Sequence, residues 1–487
     1  MTAELLHQVL GLISPFYIVA GTLAGYLVGI IPGLGPAAGI TLLLPLTYYM
    51  SPAEALIFYA SLYQSAEYSG SITAIAVSTP GTPNAAATVL DGFAMNREGK
   101  IGKAFAYSLW SAVFASLVGT AGMVLLAEPM ARLALYFGPA EYAALGIFGL
   151  SSVSILSTEY PLRGLLSALL GLSLSTVGLD LISGVQRFTF GFPSLFDGLP
   201  LVALLTWIFA LPEAVVLLTE KHAGFQVDAN QGDKTVWLHW REFVAVFPIM
   251  ALGTALGFVM GLIPGLAGSV PPWISYNLAR LMSRDRQRFG KGAPGGIVAP
   301  EATNAAVMHA TLLPAFSFGI PGTPTSAVIL GAMMLSGLTP GPMLFADHAE
   351  IPYAVFVSLF FATVFLWIVG LVATNLWVRL LMVPPELLAI GVILFVVIGS
   401  YIARTNLFDP QLAIVAGIVG YLMKRTHFSA PALVVGFILG PIIETNLRRS
   451  LLLSGGAIGG MPGALTLVLL ILSAIMLGFG VRQSLRR

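Results

Sequence analysis

One helix-breaking phrase occurs twice in this chain. Pro80 to Gly92 reads PGTPNAAATVLDG, and Pro321 to Gly331 reads PGTPTSAVILG. Both lie inside stretches apolar enough for a membrane. A second pair keeps step with the first, GIIPGLG from Gly29 and GLIPGLA from Gly261. The offsets are 241 and 232 residues, so the chain reads as a duplicated membrane domain. Pro and Gly that interrupt a helix at membrane depth are tolerated only where the freed backbone is buried in protein or lines a cavity. Two breaks at corresponding places in two halves therefore predict a transport site between them.

Hydropathy supports that reading. Charged residues make up 9% of the 487 and AVILMFWYC 57%, against about 25% charged in soluble domains. Runs such as Phe105 to Ala127, Leu199 to Leu218, Val355 to Leu376 and Leu465 to Phe479 can cross about 30 Å of hydrocarbon, and about ten to thirteen spans fit the chain. The first ten residues carry Glu4 and no basic residue, so the first span is expected to be retained, not cleaved as a signal. With no cysteine, and six scattered histidines without HExxH spacing, thiolate sites and metal catalysis are not expected. A net charge of +1 offers no basic footprint for nucleic acid.

Loop charges set the expected orientation, because inner-face loops collect Lys and Arg. Arg97, Lys100 and Lys103 follow the first PGTP, whereas Asp347, His348 and Glu350 follow the second. Arg280, Arg284, Arg286, Arg288 and Lys291 follow GLIPGLA, whereas Tyr48 to Glu54, after GIIPGLG, has no basic residue. Lys221, Lys234 and Arg241 lie in a short polar linker. The expected architecture is an all-α polytopic membrane protein of two inverted-topology repeats, with broken or re-entrant helices meeting near the midplane. Its N-terminus lies outside and its C-terminus, with Arg482, Arg486 and Arg487, inside. Repeat one covers 1–219, a cytoplasmic linker 220–242, and repeat two 243–487, with an extra C-terminal span after SGGAIGGMPG.

The breaks have their own chemistry. Pro80 and Pro83 lack backbone donors and bias the preceding residues away from helix, as do Pro321 and Pro324. Asn84 precedes three alanines and reads as a helix cap, with Thr325 and Ser326 offering the same chemistry in the second half. A helix starting there aims free N–H groups and partial positive charge into the break, which suits a carboxylate without a buried Arg. Gly81, Thr82, Gly322 and Thr323 complete these two anion-binding elements. The competing reading is a pair of simple kinks whose hydroxyls bond their own backbone.

Gly33, Gly35, Gly265 and Gly268 allow unwound backbone whose carbonyls can hold a coupling cation; close helix packing is the alternative. Polar residues precede each PGTP: Tyr63, Gln64, Ser65, Glu67, Ser69 and Ser71 in one half, and Glu301, Thr303, Asn304, His309 and Thr311 in the other. Such density is costly in lipid unless it faces a cavity. Ser69, Ser71 and Asn304 are candidate substrate ligands, and Glu67 and Glu301 candidate carriers of a proton or cation. Against these stands the ordinary role of an interfacial carboxylate paired with a base.

The order of these motifs, GIIPGLG, YSGSITAIAVSTPGTPNAAATVLDG, GLIPGLA, then PEATNAAVMHATLLPAFSFGIPGTPTSAVILG, resembles the large membrane subunit of tripartite tricarboxylate transporters, the TctA family, over nearly the whole chain. The resemblance implies a secondary transporter of the bacterial inner membrane, without a resident cofactor. It would take a carboxylate such as citrate from a periplasmic binding protein beside a small membrane subunit, driven by Na⁺ or H⁺. Where similar proteins are Gly-rich before each PGTP, this chain has Tyr63 to Glu67 and Met308 to Thr311, which leaves the particular carboxylate open. An anion channel is the nearest rival, although two breaks in one pseudo-symmetric chain fit an occluded site better than a pore. An intramembrane enzyme finds no HExxH, G-x-S-x-G or P-loop.

Overall fold

The computed structural model describes residues 3–31, 33–156, 160–180, 182–219, 236–380, 384–402, 406–455 and 463–485. Most of the polar linker (220–235), Pro32, most of the SGGAIGGMPG stretch and the last two arginines lie outside the described residues.

Helices dominate. The first half comprises α1 (Ala3–Leu12), α2 (Pro15–Ile30), α3 (Gly35–Leu43), α4 (Pro52–Val77), α5 (Ala86–Arg97), α6 (Ile101–Leu135), α7 (Pro139–Leu156), α8 (Pro161–Leu174) and α9 (Leu201–Thr219). The second comprises α10 (Trp240–Gly261), α11 (Val270–Met282), α12 (Gly295–Phe318), α13 (Pro324–Leu335), α14 (Pro342–Asp347), α15 (Glu350–Leu380), α16 (Pro385–Ile402), α17 (Phe408–Arg425) and α18 (Ala430–Leu453), followed by α19 (Ala464–Leu485). One departure from an all-α chain is a two-residue antiparallel pairing, Gly178–Leu179 with Gln186–Arg187, in the loop between α8 and α9. The Glu242 carboxylate accepts from the backbone N–H of His239 at 2.9 Å where α10 begins at Trp240.

Among the described residues five helices are long and apolar enough to cross a membrane, or six if α1 and α2, bent by 54°, count as one span. This is fewer than the ten to thirteen expected. A reason is visible in α4 and α12, which at 26 and 24 residues reach about 36 to 39 Å. They are long enough to cross, but they carry the polar clusters and are buried on nearly every face. They are wrapped by protein and need no lipid-grade sequence.

The packing of these two helices repeats with the sequence offsets. Gly21, Gly25 and Gly29 of α2 lie against the backbone of Phe58, Leu62 and Ala66 of α4, where a Cβ would collide. Gly253, Gly257 and Gly261 of α10 lie against Ala299, Thr303 and Val307 of α12 in the same way. Small residues every four positions let membrane helices approach this closely. Hydroxyls then bond across the seam, Ser65 to the Thr22 carbonyl (2.8 Å) and Thr303 to that of Gly253 (3.0 Å), each worth about 0.6 kcal/mol. The remaining helices pair reciprocally between halves: α6 packs on α12 and α15 on α4, while α7 and α8 pack on α18 and α16 and α17 on α9. Beyond that exchange, α19 packs on α7.

The 35-residue α6, about 52 Å long, separates the loops by charge. At its start, Lys103 pairs with Glu242 at 2.7 Å. The Arg-rich loop after α11 joins this end, because Asp91 of α5 accepts from the backbone N–H groups of Gly290, Gly292 and Ala293. At the far end, Arg132 and Leu135 share a cleft with Leu5 of α1 and Pro342 and Ala349, which flank Asp347.

Candidate functional site

Both PGTP breaks follow a helix that ends on a left-handed residue. α4 stops at Ser78 (φ 59°) and α12 at Gly319 (φ 72°). The first break then doubles back along α4: the N–H of Gly81 donates to the carbonyl of Gly70 at 3.0 Å. A Cβ on Gly81 would lie 2.7 Å from the Gly70 Cα and would also strike the Gly29 carbonyl. GIIPGLG, α4 and PGTP therefore touch through three glycines. In the second half, Gly322 faces Thr311, with Ala267 of GLIPGLA beside it. Thr311 occupies the position that corresponds to Gly70, so the second seam is looser.

The breaks converge on one face of α4. Tyr63 places its hydroxyl 3.1 Å from that of Thr323, with Thr311 and Thr325 beside it. One turn on, the Asn84 amide donates to the Glu67 carboxylate at 3.2 Å, and Thr82 and Asn304 flank that carboxylate. Asn304 also reaches the Glu67 carbonyl at 3.5 Å. The repeat offset makes Asn304 the counterpart of Tyr63. Tyr63 of α4 thus reaches the second break, and Asn304 of α12 reaches Glu67, which the first break also contacts.

Two caps differ from the sequence expectation. Asn84 does not cap α5; it lies in a short 3₁₀ turn, Pro83–Ala85, and its amide is spent on Glu67. In the second half the cap is Thr323 itself, with Thr325 and Ser326 inside the first turn of α13. Thr323 and Ser326 bond reciprocally: the Ser326 N–H donates to the Thr323 hydroxyl at 3.1 Å, and the Thr323 N–H to the Ser326 hydroxyl at 2.9 Å. Two donors that an anion would use at α13 are therefore occupied. The start of α5 has no side-chain cap, so the two helix ends are chemically unlike.

The other expected residues separate. Ser69 donates to the Gly25 carbonyl at 3.2 Å and serves the α2 seam. Ser71 donates to Glu301 at 2.7 Å. Glu301 (2% exposed) also accepts from Ser108 at 2.8 Å and from Thr88, so hydroxyls from α4, α5 and α6 hold one carboxylate of α12. Gly33 and Gly265 do adopt left-handed φ, 86° and 84°, at corresponding positions. They face Glu213 of α9 and Ser152 of α7. Gly35 (φ 60°) opens α3, and Gly268 has open space at its Cα.

Sequence reasoning passed over Thr88, Ser108, Thr363 and Asp91. Ser108 lies in an ordinary apolar helix and gave no signal. Asp91 is part of the quoted motif and is fully buried, accepting three backbone N–H groups and the Tyr276 hydroxyl (2.9 Å). It clamps α5 to the second half.

A family model described as "Tripartite tricarboxylate transporter TctA family" matches residues 16–435. The chain is 36% identical over 439 residues, 90% of its own length and 86% of the relative's, to a protein of Agrobacterium vitis described as an uncharacterized 52.8 kDa protein in the TAR-I ttuC′ 3′ region. A second protein of that organism, an uncharacterized protein in the TAR-II ttuC′ 3′ region, is 34% identical over 200 residues, 41% of this chain and 83% of the relative. No solved structure matches. The matched region takes in all four glycine–proline motifs and both central helices, and the chain belongs to the tripartite tricarboxylate transporter TctA family.

Proposed function

We propose that this subunit is a cation-coupled importer of an organic di- or tricarboxylate at the bacterial inner membrane. It receives its substrate from a periplasmic binding protein and works beside a small membrane subunit. The observation that carries this reading is the convergence of both breaks on Tyr63 and Glu67, one turn apart on α4. The substrate carboxylates bind between the uncapped start of α5, with Pro80, Gly81, Thr82, Pro83 and Asn84, and the Pro321-to-Ser326 break that reaches Tyr63. Helix N-termini favour negative charge there without a buried Arg. The two halves are inverted repeats that alternate access by moving around this site. The reciprocal pairing of helices and the acidic and basic loops at opposite ends of α6 support inversion.

The test is counterflow. Proteoliposomes preloaded with an unlabelled di- or tricarboxylate should accumulate the labelled compound transiently, with and without a Na⁺ or proton gradient. Passive equilibration with ionic current and no overshoot would make the protein a channel. Because the chain has no native cysteine, single cysteines at Arg97 and Asp347 test inversion; labelling of both by an impermeant reagent from one side would reject it.

A further inference from the structure

We infer that the coupling ion is a dehydrated Na⁺ held in the cavity between α4 and α12 that Gln64, Glu67, Glu301, Asn304 and His309 line. This rests on the carrier reading above and, of the two kinds of ion candidate, takes the Glu67 and Glu301 carboxylates, joined by the neutral acceptors beside them, over the GIIPGLG and GLIPGLA carbonyls. The cavity measures about 10 Å³, room for one water-sized particle. No Lys or Arg lines it.

The lining is rich in acceptors. Gln64 donates its Nε2 to the Thr363 hydroxyl at 2.6 Å, which leaves Oε1 without a partner among the described residues. Asn304 donates toward the Glu67 carbonyl, and its Oδ1 is likewise unpaired. His309 lies 2.8 Å from the Ala305 carbonyl through Nδ1. A carbonyl only accepts, so Nδ1 carries the hydrogen and the unpaired Nε2 offers a lone pair. His309 packs against Gly119 of α6, whose added Cβ would lie 2.8 Å from the His309 Cβ. All three side chains are at least 96% buried. A buried acceptor without a donor is costly, and a cation satisfies several at once.

The charges point the same way. Two buried carboxylates border the cavity, and among the described residues their hydrogen bonds come from hydroxyls and an amide, not from a base. Among the described residues no three His, Asp or Glu groups converge as a metal cluster, so the site suits a monovalent ion bound largely by neutral oxygens, not a divalent one. Glu67 faces both this cavity and the first break. A carboxylate substrate arriving beside it meets like charge, and Na⁺ in the cavity offsets that repulsion. Each ligand then favours the other by the same factor. The offset places Met308 opposite Glu67 and Ala60 opposite Glu301, so the motif offset does not generate a second pair of these carboxylates.

The probe is ²²Na⁺ itself, bound to the purified full chain without substrate. Saturable binding competed by Na⁺ and not by K⁺ is expected, with Gln64→Leu and His309→Phe each weakening affinity about tenfold. Unchanged affinity in both variants overturns the assignment. Should the variants fail to insert, wild-type protein decides: Na⁺ is expected to raise its melting temperature over K⁺, and equal melting overturns the proposal. Counterflow with no bound ²²Na⁺ would remove the site and leave the carrier; bound ²²Na⁺ without counterflow would remove the carrier and leave the site.

Discussion

The Tyr63 hydroxyl of α4 lies 3.1 Å from the Thr323 hydroxyl that caps α13, joining the central helix of one half to the helix break of the other. Tyr63→Phe keeps the ring and removes this bond. Uptake should fall several-fold through KM, while insertion and melting temperature change little. Thr323→Val removes the cap as well, which costs about 1 kcal/mol of local stability. It should therefore lower both uptake and melting temperature. Initial-rate uptake with thermal unfolding of each variant separates the two effects.

Glycines that look alike in sequence should respond differently. Gly81→Ala drives a Cβ to 2.7 Å from the Gly70 Cα, where neither backbone can yield, so little folded protein should be recovered. Gly268→Ala meets nothing within 4 Å and should insert and melt like wild type. Size-exclusion profiles of the two detergent-extracted variants make the comparison.

Asp91→Asn should destabilise the closed assembly by about 2 to 3 kcal/mol. The amide oxygen can still accept from the Gly290, Gly292 and Ala293 N–H groups, which share one carboxylate oxygen, but without the charge, and the Tyr276 hydroxyl loses its acceptor on the other oxygen; charge-assisted bonds are worth about 1.5 to 3 kcal/mol. The readout is hydrogen exchange, faster in residues 288–294 than in α2.

The loop between α8 and α9 carries a pH dependence of defined sign. The Ser183 hydroxyl, then Arg448 and the Ile182 N–H, hold the Asp180 carboxyl well below the usual carboxylate range. A depressed carboxylate stabilises fully above its unfolded pKa, about 4, and loses that contribution as pH falls through the lower folded value. The loop should therefore stay docked from about pH 5 to 8 and loosen only in stronger acid. A spin label at Val185→Cys should report constant mobility over the neutral range. Arg448→Ala should move the onset of mobility upward in pH, and an unchanged onset would remove the Asp180–Arg448 pair from this role.

Much of the site was legible from local chemistry. Pro80 and Pro321 lie in the non-helical breaks, Pro324 opens α13 at a position that needs no backbone donor, and the φ of Gly33 and Gly265 follows from what glycine alone permits. The 232- and 241-residue offsets between the motifs reappear as matching backbone contacts of α2 with α4 and of α10 with α12. Asn84 was misread as a cap because its sequence neighbours favour that role, whereas Glu67, seventeen residues earlier, claims its amide.

The sequence by itself determined a membrane-embedded helical chain in which one break motif recurs, because hydropathy and the backbone limits of Pro and Gly act locally. Only the tertiary structure decided which polar groups meet. Glu301 finds Ser71, Thr88 and Ser108 on three different helices, and Gln64, Asn304 and His309 turn unpaired acceptors toward one cavity. Those meetings depend on the register and crossing of helices 193 to 230 residues apart in the case of Glu301, which no local pattern encodes.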